Sequence, residues 1–255
     1  MLRFLRNIRQ KLLENGNVRK YFWYALGEIL LVVIGILLAL QINIWNENRK
    51  LNKSSKETIE NLYTEINVAI SELEETLKVN ERFLDMSHKF MEMPSYIDSL
   101  SANPGLIFLL TSYSTLILDL PVLQQELSSE KVIIDDKELV LKLREIKNEY
   151  ERSSSTRELT TTLWNEHVIG YYMRNKILTE YQAFFSGKYF KTNTLIDNLS
   201  DPEFKNLVAM TTLINSQLTN SYEKLLLNLV EAKTHLERKD NVSLHPKHLL
   251  RIYIF

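Results

Sequence analysis

Residues 22–45 read FWYALGEILLVVIGILLALQINIW. From Ala25 to Ile44 the only strongly polar side chains are Glu28, Gln41 and Asn43. A helix crosses a hydrocarbon core about 30 Å thick with roughly 20 apolar residues, and this run reaches that length. Tyr21, Phe22, Trp23 and Tyr24 stand at one end and Trp45 at the other. Amphipathic rings at both ends form the interfacial belt of a span, with Tyr21, Trp23 and Trp45 as its anchors. The core helix of a soluble protein rarely stays this apolar over such a length without a polar stripe. A cleaved signal peptide has a shorter apolar stretch, about 7–15 residues, with small residues before the cut. Here the run is longer, and Ala39-Leu40-Gln41-Ile42 offers no such pattern. The reading is an uncleaved transmembrane signal anchor over residues 21–46.

The flanks orient it. Arg3, Arg6, Arg9, Lys11, Arg19 and Lys20 precede the span with a single acid, Glu14; Arg49, Lys50, Lys53 and Lys56 follow it. The excess of basic residues on the first side places the N-terminus in the cytoplasm. The leader, residues 1–20, carries Leu2, Leu5, Ile8, Leu12 and Leu13 at helical spacing among its bases. That pattern suits either a short helix on an anionic leaflet or a solvated cap that sets topology.

The stretch YALGEILLVVIGILLALQINIWNENRK, with the leader LRFLRNIRQKLL before it, resembles an uncharacterised family of small single-span bacterial membrane proteins abundant in Bacteroidota. The likeness is carried by Gly27 and Glu28 near the start of the span and by Gln41, Asn43, Trp45, Asn46 and Glu47 at its exit. It covers about the first fifty residues. It implies a bacterial inner-membrane location and is silent on activity.

One polar face runs along the span. At 100° per residue, Glu28, Gly35, Ala39 and Asn46 fall within about 20° of one meridian. Small residues four apart let two membrane helices approach closely, and a carboxyl group at membrane depth is costly enough to mark a functional candidate. These four residues are the expected interface with another membrane helix, from a second copy or a different protein. The alternative is that Glu28, roughly 9 Å along the helix from Phe22, reaches headgroups or water at the cytoplasmic edge. A single shallow carboxylate makes a poor proton path on either reading.

Beyond the anchor, residues 47–240 read as an all-α domain outside the membrane. The 255 residues carry only 6 glycines and 5 prolines, which suits long helices. Ile59, Leu62, Ile66, Ala69, Ile70, Leu73, Leu77 and Leu84 recur at three-four spacing, and no breaker stands between the span and Pro94. Asn52, Ser54 and Ser55 offer a short loop as the alternative to continuity. The apolar run 105–127 is too short and polar for a second span and reads as two packed helices broken near Asp119-Leu120-Pro121. Asp135 with Glu138 reads as a capping box opening a long helix to about Arg174, with Ser153-Ser154-Ser155 as a weak point. Short helices or loops follow around Ser186-Gly187. Ser200-Asp201-Pro202-Glu203 marks a strong helix start, after which Phe204, Leu207, Thr211, Ile214, Leu218, Tyr222, Leu225, Leu229 and Leu236 form a stripe. Complementary stripes on three or four long helices give a helical bundle. The tail, residues 241–255, ends in apolar Leu249, Leu250, Ile252, Tyr253, Ile254 and Phe255; it reads as a docking arm or an untethered end.

Composition narrows the chemistry. A formal charge of -1 argues against nucleic-acid binding. The absence of cysteine rules out disulfides, thiolate metal sites and cysteine nucleophiles. Of the five histidines, His245 and His248 lie three apart without a third ligand nearby, and no phosphate loop, nucleophile elbow or H-E-x-x-H helix is present. No cofactor and no metal are expected. Tyr171 and Tyr172 beside Trp164 read as core first and as cavity lining second. The pattern points to a non-enzymatic interaction or sensory protein in the lipid bilayer. An envelope enzyme subunit built between helices, or a purely structural subunit, are the alternatives. With about twenty residues on the cytoplasmic side, a signal has to pass through another membrane protein.

Overall fold

The computed structural model describes residues 18–128, 134, 136–188 and 193–243. The leader before residue 18, Asp135 and the apolar tail lie outside them. The chain separates into two units, Met1–Glu57 and Thr58–Phe255.

Helix α1 is Val18–Glu92. Asn52, Ser54 and Ser55 are helical, so the loop considered there does not form; isolated polar residues do not interrupt a helix without Gly or Pro. The helix stops at Glu92, two residues before Pro94, where the residue preceding a proline is disfavoured in helix. In the first unit the side chains from Leu26 to Trp45 are largely exposed. Among the described residues this is one helix long and apolar enough to cross a membrane.

Among the described residues the regular elements of the second unit are all helical, as expected. After α1 come α2 (Tyr96–Ala102), α3 (Leu106–Leu109), α4 (Pro121–Ser128) and α5 (Lys137–Leu163). A wide π turn, Trp164–Val168, leads into α6 (Ile169–Arg174), followed by α7 (Leu178–Phe185), α8 (Asn193–Asp197), a 3₁₀ turn at Asn198–Ser200 and α9 (Pro202–Ser243). The long helical reading to Arg174 holds through the serine run, where Ser153 folds its hydroxyl onto the Tyr150 carbonyl at 2.7 Å. The π turn re-phases that helix. Leu163 and Val168 are both buried, yet five residues of α-helix would set them about 140° apart. Helix α5 is capped by Asp136, whose Oδ1 accepts from the Glu138 and Leu139 amides, so the cap falls one residue after the expected Asp135. On α9, Asp201 Oδ1 accepts from Glu203 N at 3.0 Å, as the sequence predicts. Gly187, at φ +65°, ends α7 in the left-handed region.

Helix α5, continued through the π turn into α6, runs antiparallel to α9: His235–Asp136 (2.7 Å) and Lys142–Glu231 (3.1 Å) tie α9 to the start of α5, and Arg174–Glu203 ties it to the end of α6. The later part of α1 joins them through two apolar clusters. One gathers Leu62, Ile66, Leu73, Leu143, Leu225 and Leu229 with their neighbours. The other is aromatic, built on Phe90, Phe108, Tyr171, Tyr172 and Phe204. Between the clusters each helix turns polar inside: Asn80 and Ser87 on α1, Ser153 and Thr160 on α5, Thr211, Thr212, Asn215 and Thr219 on α9. Every one of these is buried.

The apolar run 105–127 differs from expectation. Only one helical turn forms at Leu106–Leu109, and residues 112–120 then have no regular secondary structure before α4 starts at Pro121. Thr111, Ser112, Ser114 and Thr115 favour local side-chain bonds over helix. From Thr115 to Leu120 exposure alternates, with Ile117 and Asp119 outside and Leu118 and Leu120 buried. Alternation with period two is the signature of extended chain. This strap lies where two packed helices are expected from the sequence.

Candidate functional site

An extended segment inside a helical bundle has no ladder to satisfy its backbone, so side chains must do it. Asn80, fully buried on α1, treats Ser114 as a neighbouring strand would. Its Nδ2 donates to the Ser114 carbonyl at 2.9 Å and its Oδ1 accepts from the Ser114 amide at 2.7 Å. Two residues on, the Leu116 amide donates to the Tyr222 hydroxyl at 3.0 Å. The Leu116 carbonyl accepts from the Arg157 guanidinium, which also donates to Ser154 Oγ at 2.9 Å and stacks over the Tyr150 ring. Burial pushes the Tyr222 phenol up, which keeps its proton in place. One residue from each long helix therefore grips the strap: Asn80, Arg157 and Tyr222.

The ends are fixed as well. Ser87 Oγ donates to the Leu110 carbonyl at 3.3 Å. At the far end Glu65 caps α4, its two oxygens accepting from the Val122 and Leu123 amides at 2.8 and 3.0 Å. Desolvation raises the Glu65 carboxyl, and nearby Asp119 adds to this, although the two amide bonds oppose it.

The grip is one-sided. In extended chain the N–H and C=O of alternate residues point to opposite edges. The groups of Ser114 and Leu116 are taken from within the bundle. Those of Thr115 and Ile117 have no partner among the described residues. Ile117 is also the most exposed large apolar side chain described, at 78%. Three clefts open along the strap. Its first residues, Ser112 and Tyr113, line one of about 360 Å³ with Phe83, Trp164, Tyr181 and Phe185. Ile117, Leu118 and Asp119 line another of about 320 Å³ with Glu65, Val68 and Glu72 of α1. Leu120 lines a third of about 360 Å³ with Tyr150 and Lys147 of α5.

Of the residues singled out in the sequence, Tyr171 and Tyr172 are core. Tyr172 bonds Thr111 at 2.7 Å, and Tyr171 donates to the cap residue Asp201 at 2.6 Å. Trp164 lines the aromatic cleft. Gly35, Ala39 and Asn46 are exposed on α1, and Glu28 is partly exposed on the same helix. A methyl group added at Gly35 would meet nothing within 4 Å. Trp23 and Trp45 are exposed at 63% and 65%, while the Tyr21 side chain lies outside the described set. None of these residues lines a described cleft except Trp164. Asn80, Arg157 and Tyr222 are not legible as a group from sequence. Asn80 leaves one signal, a polar residue on the stripe between Leu77 and Leu84.

In comparison with known proteins, a family model described as "Family of unknown function (DUF6090)" matches residues 28–99. The match fits the resemblance to an uncharacterised family and includes Glu28, Gln41, Asn43, Trp45, Asn46 and Glu47. It also reaches past the apolar stretch, through the part of α1 that carries Glu65, Glu72 and Asn80. No curated protein and no solved structure matches the chain.

Proposed function

We propose that this chain is a membrane-anchored interaction protein of sensory type, whose helical domain engages a partner through the strap at residues 112–120. The observation that carries this reading is the open edge at Thr115 and Ile117. Proteins cover or blunt unpaired strand edges because such edges recruit other chains, and this one is held out by buried Asn80 and Tyr222 and half-buried Arg157, with an isoleucine on display. In the full reading, the span at residues 21–46 anchors the domain to a bacterial inner membrane with the N-terminus in the cytoplasm. The face at Glu28, Gly35, Ala39 and Asn46 then pairs with a second copy or with another membrane protein. The exposure of Gly35 and Ala39 leaves room for such an approach.

The test is a photo-crosslinking residue at Ile117 in native membranes. A discrete protein adduct, absent when the same residue is placed at exposed Glu158 on α5, which lines none of the three clefts, is expected. Monomer alone from position 117 refutes the reading. Replacement of Glu28 with Leu tests the second contact: association in the membrane should weaken, and unchanged association removes Glu28 from the interface.

A further inference from the structure

The strap's cleft carries a charge that limits what can lie in it. On one wall α1 presents Glu65 and Glu72 around Val68; on the other the strap presents Ile117 and Asp119. Among the described residues, three carboxylates and no base line this cleft. Ile117, whose backbone forms the open edge together with that of Thr115, is part of this lining. We infer, building on the interface proposed above, that the occupant is an extended, basic peptide segment of a partner protein, pairing as a strand along Thr115–Ile117 and setting an aliphatic side chain beside Val68 and Ile117.

Each part of that description has a separate cause. Extended conformation follows from the edge, because only a strand offers N–H and C=O groups at the spacing of Thr115 and Ile117. An aliphatic residue follows from Val68 and Ile117, which are 52% and 78% exposed and face the same cleft. Basic residues follow from the carboxylates, which steer cations and repel acidic partners. The same charges exclude the strap of a second copy: Asp119 is the single charged residue between positions 112 and 120, and pairing two straps would set it against another acidic rim. Lysine or arginine flanking a β-branched residue satisfies all three requirements.

The full chain in phosphatidylcholine nanodiscs, which carry no net lipid charge, would be titrated with a fluorescent alternating Lys-Val peptide long enough to pair with residues 113–119. Saturable binding is expected. It should weaken about fivefold when Glu72→Gln and Asp119→Asn are combined, since exposed ion pairs contribute modestly. Both carboxylates are exposed, so the fold tolerates the change, which circular dichroism would verify. Backbone N-methylation of the peptide should abolish binding, as should its Glu-Val counterpart. Absence of saturable binding, or equal binding of the N-methylated or acidic peptide, overturns the inference. A crosslinked partner at Ile117 without Lys-Val binding would reject the basic strand and leave the interface standing. Failure of both would reject the two together.

Discussion

Replacing Asn80 with Ala removes the contact on which the strap most depends. Two hydrogen bonds to Ser114 disappear, at 2.9 and 2.7 Å, and the partners left behind are a half-buried amide and carbonyl. A net contribution of about 1 kcal/mol per bond, plus a partial penalty for the orphaned Ser114 groups, gives a loss of about 3 kcal/mol. For a domain of ordinary stability this is a substantial fraction of the total. Urea unfolding of the full chain in detergent micelles, followed by far-UV circular dichroism, measures it. Asn80→Asp sharpens the test, because it keeps an acceptor for the Ser114 amide while losing the donor and burying a charge. It should be at least as destabilising at neutral pH and recover in part on acidification, when the carboxylic acid can donate. A loss below about 1 kcal/mol for Asn80→Ala would refute the view that side chains replace a β-ladder here.

Three further outcomes follow from the bundle. Tyr171→Phe should destabilise by about 1–2 kcal/mol at neutral pH, since it removes a hydrogen bond to a charged acceptor. That bond, foremost, holds the Asp201 carboxyl below its ordinary value of 3.8, so its contribution is present above that pH and is lost as pH falls; the difference between wild type and variant should narrow in acid, where the hydroxyl keeps Asn198 Oδ1 as an acceptor at 2.7 Å. Gly105→Ala should cost about 1–3 kcal/mol, because a Cβ there would run into the Phe184 ring; a calorimetric midpoint equal to wild type would contradict this. Thr211→Val and Thr219→Val should each stabilise by about 1 kcal/mol, because their buried hydroxyls have no hydrogen-bond partner, and denaturant titration would expose a loss instead.

The elements legible in the sequence are those set by local pattern. The apolar helical stretch from Phe22 to Trp45, long enough to cross a membrane, follows from its composition and length. The start of α9 follows from Asp201-Pro202-Glu203, and its stripe from Phe204 to Leu236 packs largely as its spacing requires. Asp136 displaces Asp135 as a cap by one position, a difference that neighbouring acids do not distinguish. The strap was beyond such reading for a physical reason. Its conformation is dictated by Asn80, Arg157 and Tyr222, which lie 34, 41 and 106 residues from their partners, and its own residues pass equally well for a short apolar helix. Only Leu118-Asp119-Leu120 alternates apolar and polar in the sequence, over a length too short to decide. The candidate site was hidden with it, since the edge exists only once the strap is extended.

Hydrogen exchange at single-residue resolution along residues 112–120 of the full chain reads out whether the strap is gripped on one edge and open on the other. Amides held by the bundle should be protected and those on the open edge should not: slow exchange at Ser114 and Leu116, fast exchange at Thr115 and Ile117. Uniform protection would mean the edge is closed, and uniform rapid exchange would mean the strap is not gripped at all; either result contradicts the account.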